Sequence, residues 1–185
     1  MGSQPEGYYS TAKIVVRSFE ETVRARPQMF FGCHREDPRL AGAVVDAAVR
    51  DTLREPNRQT VPADVAVEVV IESDHRFTIT DNLVNEMGKL DANGLPLSRW
   101  ALGALLAVSA RTSIEIRTTD RQWLLEFAGT TPTESPREHV STGSPGTRIT
   151  CELDRDYLPA TAVLPAAADL LDVRDDRVIV IDLRG

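Results

Sequence analysis

Two short segments, VAVEVVI at residues 65–71 and RFTIT at residues 76–80, decide what fold this sequence can adopt. β-branched and aromatic residues dominate both segments, which is typical of β-strands. Only a polar turn at residues 73–75 separates them, so the sequence predicts an antiparallel hairpin. The second strand runs directly into Asp81, a carboxylate at the edge of the predicted core.

Helical periodicity surrounds the hairpin. Before it, apolar residues recur at helical spacing over residues 10–24 and 40–53. After it, the same criteria predict two helices, at residues 100–110 and 160–171, and four strands, at residues 112–117, 122–127, 147–153 and 177–183. Residues 130–146, rich in Pro, Ser, Thr and Gly, are predicted to form a long loop. Hairpins mixed with helices in this order predict an α+β fold, a two-layer α/β sandwich whose mixed sheet carries helices on one face.

Composition and charge exclude several classes of function. The chain has 185 residues, of which 42% are hydrophobic, enough for one domain with a proper core. Its apolar stretches are too short to cross a membrane and no signal peptide is visible, so we expect a cytoplasmic protein without a membrane partner. The net charge of −7, with arginines interspersed among acids, disfavours nucleic-acid binding. Cys33 and Cys151 have no metal-ligand spacing, and we expect neither a metal nor a cofactor.

Four segments resemble one known family. ETVRARPQMFFG at residues 21–32 is similar to a stretch of the form E-A-V-R-K-R-P-G-M-Y-I-G in the ATP-binding domain of the DNA gyrase B subunit and topoisomerase IV. AVVDA at residues 43–47 falls where that family has E-V-V-D-N. TDN at residues 80–82 falls where its strand ends in D-N-G, and PGTRIT at residues 145–150 where it has G-T-x-V-x-F. The resemblance is collinear from about residue 8 to the C-terminus.

The resemblance implies the Bergerat fold of the GHKL superfamily and, at the same time, the loss of ATP hydrolysis. Residues 1–9 would be an N-terminal arm and residues 10–185 the gyrase B ATPase-like domain, without a transducer domain. Ala43 stands where the family has its glutamate general base, and Ala47 where an asparagine binds magnesium. SRWALG at residues 98–103 replaces the glycine-rich turn that cradles phosphates.

The adenine end of the family's site keeps its polar residues. Asp81 matches the carboxylate that receives the adenine amino group, and Thr147 the threonine beside it. Both also fit simpler roles, Asp81 in a strand-ending turn and Thr147 as a β-branched strand residue. A buried carboxylate needs hydrogen-bond partners, so its retention hints at a polar ligand. The candidate ligand-binding residues are Asp81, Asn82, Thr147, Asp46, Ala47, Met29, Leu83 and Trp100, with Trp100 expected to fill the vacated phosphate region.

Three functions remain open at this stage. The first is a pseudo-ATPase that binds a small aromatic molecule through Asp81 and Thr147. The second is a cofactor-independent enzyme of specialised metabolism, of the isomerase, cyclase or lyase type, in which Asp81 is the general acid or base. The third is an interaction module that pairs with gyrase or with itself through the arm at residues 7–9, which would make a homodimer. Met29→Ala should destabilise the fold by roughly 2–5 kcal/mol if Met29 is buried.

Overall fold

The computed structural model describes residues 16–54, 64–83, 100–141, 143–171 and 175–185. In these ranges the chain is an α+β fold with a mixed sheet of eight strands and a few helices, which confirms the predicted class. No helix in the described ranges is both long enough and apolar enough to cross a membrane.

Local sequence signals explain where the helices begin and end. The helices of the described residues are α1 (Phe19–Ala25), α2 (Gln28–Phe31), α3 (Leu40–Arg54) and α4 (Trp100–Ala107). Ser18 and Glu21 form a reciprocal capping box at the start of α1, each side chain bonding the backbone amide of the other residue. Gly32, at φ 74°, ends α2 in the left-handed conformation that glycine adopts without strain. The helix predicted at residues 10–24 begins only at Phe19, because residues 16–18 are not helical and Ser18 caps the helix; residues 10–15 and the arm at residues 1–9 lie outside the described residues.

The strands form one sheet with a single parallel pair. They are β1 (Val67–Ser73), β2 (Arg76–Asp81), β3 (Ser109–Arg117), β4 (Arg121–Ala128), β5 (Thr131–Pro132), β6 (Arg137–Val140), β7 (Gly146–Leu153) and β8 (Val178–Asp182). Their order in the sheet is β5-β4-β3-β7-β2-β1-β8, with β6 also paired to β4. β8 runs parallel to β1 and every other described pairing is antiparallel. The β1–β2 hairpin predicted from the sequence is confirmed.

The two faces of the sheet differ because side chains alternate along each strand. One buried row crosses the inner face through Val69, Ile79, Ile149 and Ile114, which are cross-strand neighbours in that order. This face and the apolar sides of the helices share one hydrophobic core. Inward-facing side chains at the ends of the strands therefore lie beneath the helices.

On the outer face, the next row is polar. It runs through Glu68, Thr80, Arg148 and Glu115, again cross-strand neighbours. Opposite charges placed side by side in this way stabilise a solvent-facing sheet by a few tenths of a kcal/mol a pair, up to ~1 kcal/mol. The outer face of the central strands is thus a solvated surface.

Two predictions from the sequence were wrong in detail. The helix predicted at residues 160–171 is only a 3₁₀ turn at Ala167–Asp169, preceded by turns and extended chain. Pro165 lacks an amide donor and its ring lies against α3, where a Cβ on Gly42 would come within 3.1 Å of it. The loop predicted at residues 130–146 contains the short strands β5 and β6.

Candidate functional site

A cavity of about 800 Å³ lies along α3, and we call it the α3 cavity. Its apolar walls include Phe30 and Phe31 of α2, Trp100 of α4, and Ala43 and Ala47 of α3. Ala43 and Ala47 are four residues apart and share one side of the helix, so their methyl groups leave room where larger side chains would fill it. Small side chains on α3 thus help to make the cavity.

Aromatic rings build one wall of this cavity. The ring of Phe30 lies between those of Phe19 and Trp100, with centroid distances of 5.8 and 6.3 Å. The edge of the Phe19 ring packs closely against Gly103 of α4. A Cβ at this position would lie only 3.2 Å from the ring, so glycine leaves the room that the ring needs. Such edge-to-face and tilted contacts hold rings in fixed positions. This wall therefore consists of aromatic rings that pack against one another and not of a single exposed ring.

The opposite wall comes from the C-terminal part of the chain. Val163, Pro165 and Leu170 line the cavity there. The close approach of Pro165 to Gly42 sets the distance between this segment and α3. The α3 cavity is consequently assembled from three stretches that are far apart in sequence.

Two arginines that line the cavity, Arg50 and Arg39, are each paired with a carboxylate. Asp46 accepts a 2.7 Å salt bridge from Arg50, one helical turn away on α3. Arg39 donates from two nitrogens to both carboxylate oxygens of Asp37, at 3.1 and 2.8 Å. These bonds lower the pKa of Asp37 to about 2. The charges of these two arginines are therefore offset within the protein, while Asp51 and Asp169 also line the cavity.

Cys33 also lines the cavity but is not an activated nucleophile. Its side chain is buried, and burial together with the nearby Asp37 raises the pKa of its thiol. A reactive cysteine needs a lowered pKa, since the thiolate is the nucleophile. Cys33 therefore contributes apolar surface.

Asp81 and Thr147 form a second, closed arrangement at the end of β2. They are directly opposite each other on β2 and β7, and both are at most 3% exposed. The amide of Leu83 donates to Oδ1 of Asp81 at 3.0 Å, and the hydroxyl of Thr147 donates to the carbonyl of Leu83 at 2.9 Å. The two side chains together hold the backbone of Leu83.

Gly146 makes this arrangement possible. A Cβ at this position would run into the backbone carbonyl of Asp81, and its φ of 154° is one that other residues rarely adopt. The Gly-Thr pair at the start of β7 is therefore required by the approach of β7 to the end of β2.

Asn82 has a structural role in the described contacts. Its amide nitrogen donates to the carbonyl of Asp64 at 2.7 Å, and its Oδ1 accepts from the amide of Ala66 at 3.0 Å. These bonds tie the end of β2 to the chain entering β1. Leu83 itself is 7% exposed and belongs to the core.

The structure separates the candidate residues into two groups. Asp46, Ala47 and Trp100 line the α3 cavity. The others lie outside its lining: Asp81, Asn82, Leu83, Thr147 and Met29. Their role in ligand binding stays a prediction, and residues 84–99 lie outside the described residues.

One expectation about packing was wrong, and the condition of another, that Met29 is buried, is not met. Trp100 is 51% exposed, so it forms a wall of the cavity and does not plug it. Met29 is 64% exposed, because the short helix α2 turns its neighbours Phe30 and Phe31 towards the protein. The large loss of stability expected for a buried Met29 therefore does not apply.

Sequence reasoning missed the residues that shape most of the cavity. The signal for Phe30 and Phe31 was present, since two aromatic residues directly before a helix-ending glycine favour a packed turn. No local signal pointed to Val163 or Pro165, whose contribution depends on the tertiary fold. In the described part of the chain, no group of three or more His, Cys, Asp or Glu side chains is placed to hold a metal ion.

Comparison with known proteins adds no assignment. The chain matches no protein-family model, and no curated protein matches it significantly.

Proposed function

We propose that this protein is a GHKL-type pseudo-ATPase domain that binds a small aromatic molecule in the α3 cavity and does not hydrolyse ATP. The observation that carries the proposal is the cavity itself. Its volume of about 800 Å³ lies within the range of roughly 300–1,000 Å³ that is usual for small-molecule sites. Aromatic and aliphatic walls with a few charged groups at hand are the usual lining of such sites.

The chemistry of α3 supports the absence of hydrolysis. Ala43 and Ala47 face the cavity, and a methyl group neither accepts a proton from water nor binds magnesium. The carboxylate of Asp46, which lies between them in sequence, is engaged with Arg50. Phosphoryl transfer depends on positioned metal and base groups, which these alanines cannot supply.

Asp81 and Thr147 are proposed as the polar end of the same binding site. An amine, amide or hydroxyl of the ligand would pair with the carboxylate of Asp81, which also accepts from the amide of Leu83. Thr147 would orient that end through the Leu83 carbonyl.

A second candidate is a cofactor-independent enzyme in which Asp81 is the acid or base. The observation that favours it is that Asp81 is only 3% exposed inside the sheet, where a carboxyl group can be tuned for proton transfer. Binding and catalysis differ in what Asp81→Asn does. For a binding protein this variant should fold normally and bind more weakly by about 1.5–3 kcal/mol, the usual value of a charge-assisted hydrogen bond. For an enzyme, binding should persist and turnover should be lost.

The proposal is tested with aromatic probes on the full chain. Adenosine and an aminocoumarin are titrated, with binding followed by thermal shift and calorimetry. Ala47→Phe should fill the cavity and weaken binding at least about tenfold, whereas Ala128→Phe, at an exposed position on β4, should not. Trp100→Ala should also weaken binding, because it removes an aromatic wall without adding bulk. Equal binding by wild type and both cavity variants would contradict the proposal.

Hydrolysis is tested separately. We expect no magnesium-dependent release of phosphate from ATP above background. Measurable release that Ala47→Phe abolishes would overturn the assignment as a pseudo-ATPase. The matched control, Ala128→Phe, distinguishes such activity from a contaminating ATPase, because a contaminant would be unaffected by either variant.

A further inference from the structure

The charges that line the α3 cavity do not balance. In the described part of the chain its lining contains three aspartates and two arginines: Asp46, Asp51, Asp169, Arg39 and Arg50. Asp37, whose carboxylate is bonded to Arg39, adds another negative charge beside the cavity. Carboxylates therefore outnumber guanidinium groups there, whichever of them pair with one another.

The carboxylates also lie deeper than the guanidinium groups. Asp51 is 7% exposed. In each ion pair the acidic side chain is the less exposed partner, at 16% for Asp46 against 35% for Arg50 and at 20% for Asp37 against 82% for Arg39. Salt and water screen exposed charges more strongly than buried ones. Because the apolar walls of a cavity concentrate the field of its charges, the potential inside this cavity is negative.

The sequence of α3 explains why these groups meet at the cavity. Five lining residues recur at helical spacing along one side of this helix: Ala43, Asp46, Ala47, Arg50 and Asp51. Residues three or four positions apart on a helix are neighbours. The carboxylates of α3 therefore stand beside the methyl groups that leave the cavity open.

The aromatic wall favours the same sign of charge in a ligand. Phe30 and Trp100 line the cavity, with their ring centroids 6.3 Å apart. The face of an aromatic ring attracts a cation, and that of tryptophan does so most strongly. Buried carboxylates and aromatic rings, contributed by different helices, thus favour one ligand chemistry.

We propose that the α3 cavity selects a cationic ligand, an arylalkylamine in its protonated form, whose ring lies against the aromatic wall and whose ammonium group pairs with the carboxylates of α3. This inference rests on the proposed function, because it names the ligand class of the same cavity. An ammonium group has three donors for carboxylate oxygens. An anion of the same shape would meet these carboxylates with like charge.

The test uses three indoles that share a ring and differ in the charge of the side chain: tryptamine, indole-3-propionamide and indole-3-propionate. Calorimetry on the full chain is done at about pH 7, where an alkylamine is protonated. Tryptamine should bind at least about tenfold more tightly than the neutral amide, and the propionate should bind most weakly. Added salt should weaken the binding of tryptamine and leave that of the amide unchanged.

Two variants of the lining test the role of its carboxylates. Asp51→Asn should remove most of the preference for tryptamine over the amide, because Asp51 is the most buried aspartate of the lining. Asp169→Asn, at an exposed lining position, should lower the preference less, and it keeps the test decisive if Asp51→Asn does not fold. Asp120→Asn removes the same charge from the exposed turn between β3 and β4, and should leave the preference unchanged.

The outcomes separate this inference from the proposed function. Equal affinity for tryptamine and the amide, or tightest binding of the propionate, would overturn the cation preference, while loss of that binding in Ala47→Phe would still support a small-molecule site. A preference for tryptamine that persists in Ala47→Phe, or in both aspartate variants, would place the cation elsewhere and overturn the inference. Failure of all three indoles to bind would overturn it as well, and the titrations of adenosine and the aminocoumarin would then decide the proposed function.

Discussion

The Asp81–Thr147 pair and the α3 cavity differ in whether polar groups or apolar surfaces dominate them. Asp81 and Thr147 sit in the sheet with at most 3% exposure and bind the backbone of Leu83 from both sides. The α3 cavity is lined by alanines and aromatic rings, together with charged residues such as the paired Asp46 and Arg50. The first region is closed by its own hydrogen bonds, whereas the second leaves apolar surface uncovered.

This difference indicates where binding energy would come from. A ligand at the cavity would gain by covering aromatic and aliphatic surface, at about 25 cal/mol for each Å² of apolar area removed from water. A ligand at Asp81 would have to add a hydrogen bond to a carboxylate that already has one. The cavity should therefore supply most of the affinity and the polar pair most of the selectivity.

The largest contrast should appear between the two cysteines. Burial raises the pKa of Cys151, on β7, to about 12 from its ordinary 9.0, despite the hydrogen bond with Ser109. Three pKa units lower its thiolate fraction on the order of a thousandfold. At pH 8 iodoacetamide should therefore modify Cys33 slowly and Cys151 only after unfolding, as read by mass spectrometry.

The difference in modification rate between Cys33 and Cys151 can be tested further by adding a ligand. A molecule bound in the α3 cavity should slow modification of Cys33, which lines it. Cys33→Ser is the control that should leave no labelled site in the folded protein. Equal rates at the two cysteines would show that the cavity is no more open than the interior of the sheet.

The next largest effect should come from Gly146→Ala. The added Cβ would meet the carbonyl of Asp81, and the backbone angle of 154° would be strained. Overpacking and strain together should destabilise the fold by roughly 2–5 kcal/mol, measured by urea unfolding. Gly143→Ala is the matched control, because its Cβ would meet only the end of the Arg117 side chain, which can move. A Gly146→Ala protein as stable as the wild type would mean that β7 does not approach β2 so closely.

The sequence predicted the elements better than it predicted the site. The β1–β2 hairpin and helix α3 were predictable because their apolar patterns are local and strong. The same local criterion failed at residues 160–171, where alanines suggested a helix but Pro165 packs against Gly42. Tertiary contact decided that segment against its helix propensity.

The candidate site shows the same limit. Asp81 and Thr147 were proposed together because of a family resemblance, and β2–β7 pairing does place them opposite each other. The α3 cavity was not predicted, because Phe30, Trp100 and Val163 come together only in the folded chain. Periodicity indicates which side of an element is buried but not where packing leaves a gap.

The smallest effect should be on acid stability. Hydrogen bonds from Arg39 lower the pKa of Asp37 to about 2 from 3.8, so this pair stabilises the folded state above about pH 4. Its contribution disappears as the pH falls from about 4 to about 2. In the Asp37→Asn variant, the free energy of unfolding measured with urea should therefore fall less steeply between about pH 4 and about pH 2. Asp120→Asn, at an exposed position, serves as the control. If the pH dependence of the unfolding free energy is unchanged in Asp37→Asn, the Asp37–Arg39 pair does not contribute to acid stability.

The hydrogen bonds of Arg184 connect two distant parts of the molecule. Its guanidinium holds Asp182 on the edge strand and also donates to the carbonyls of Leu164 and Pro165, at 2.7 and 2.9 Å. Pro165 lines the α3 cavity, so the side chain of Arg184 contacts both β8 and a wall of the cavity. A ligand that shifts this wall would therefore also act on β8, and a change at β8 would act on ligand affinity, since thermodynamic coupling is reciprocal.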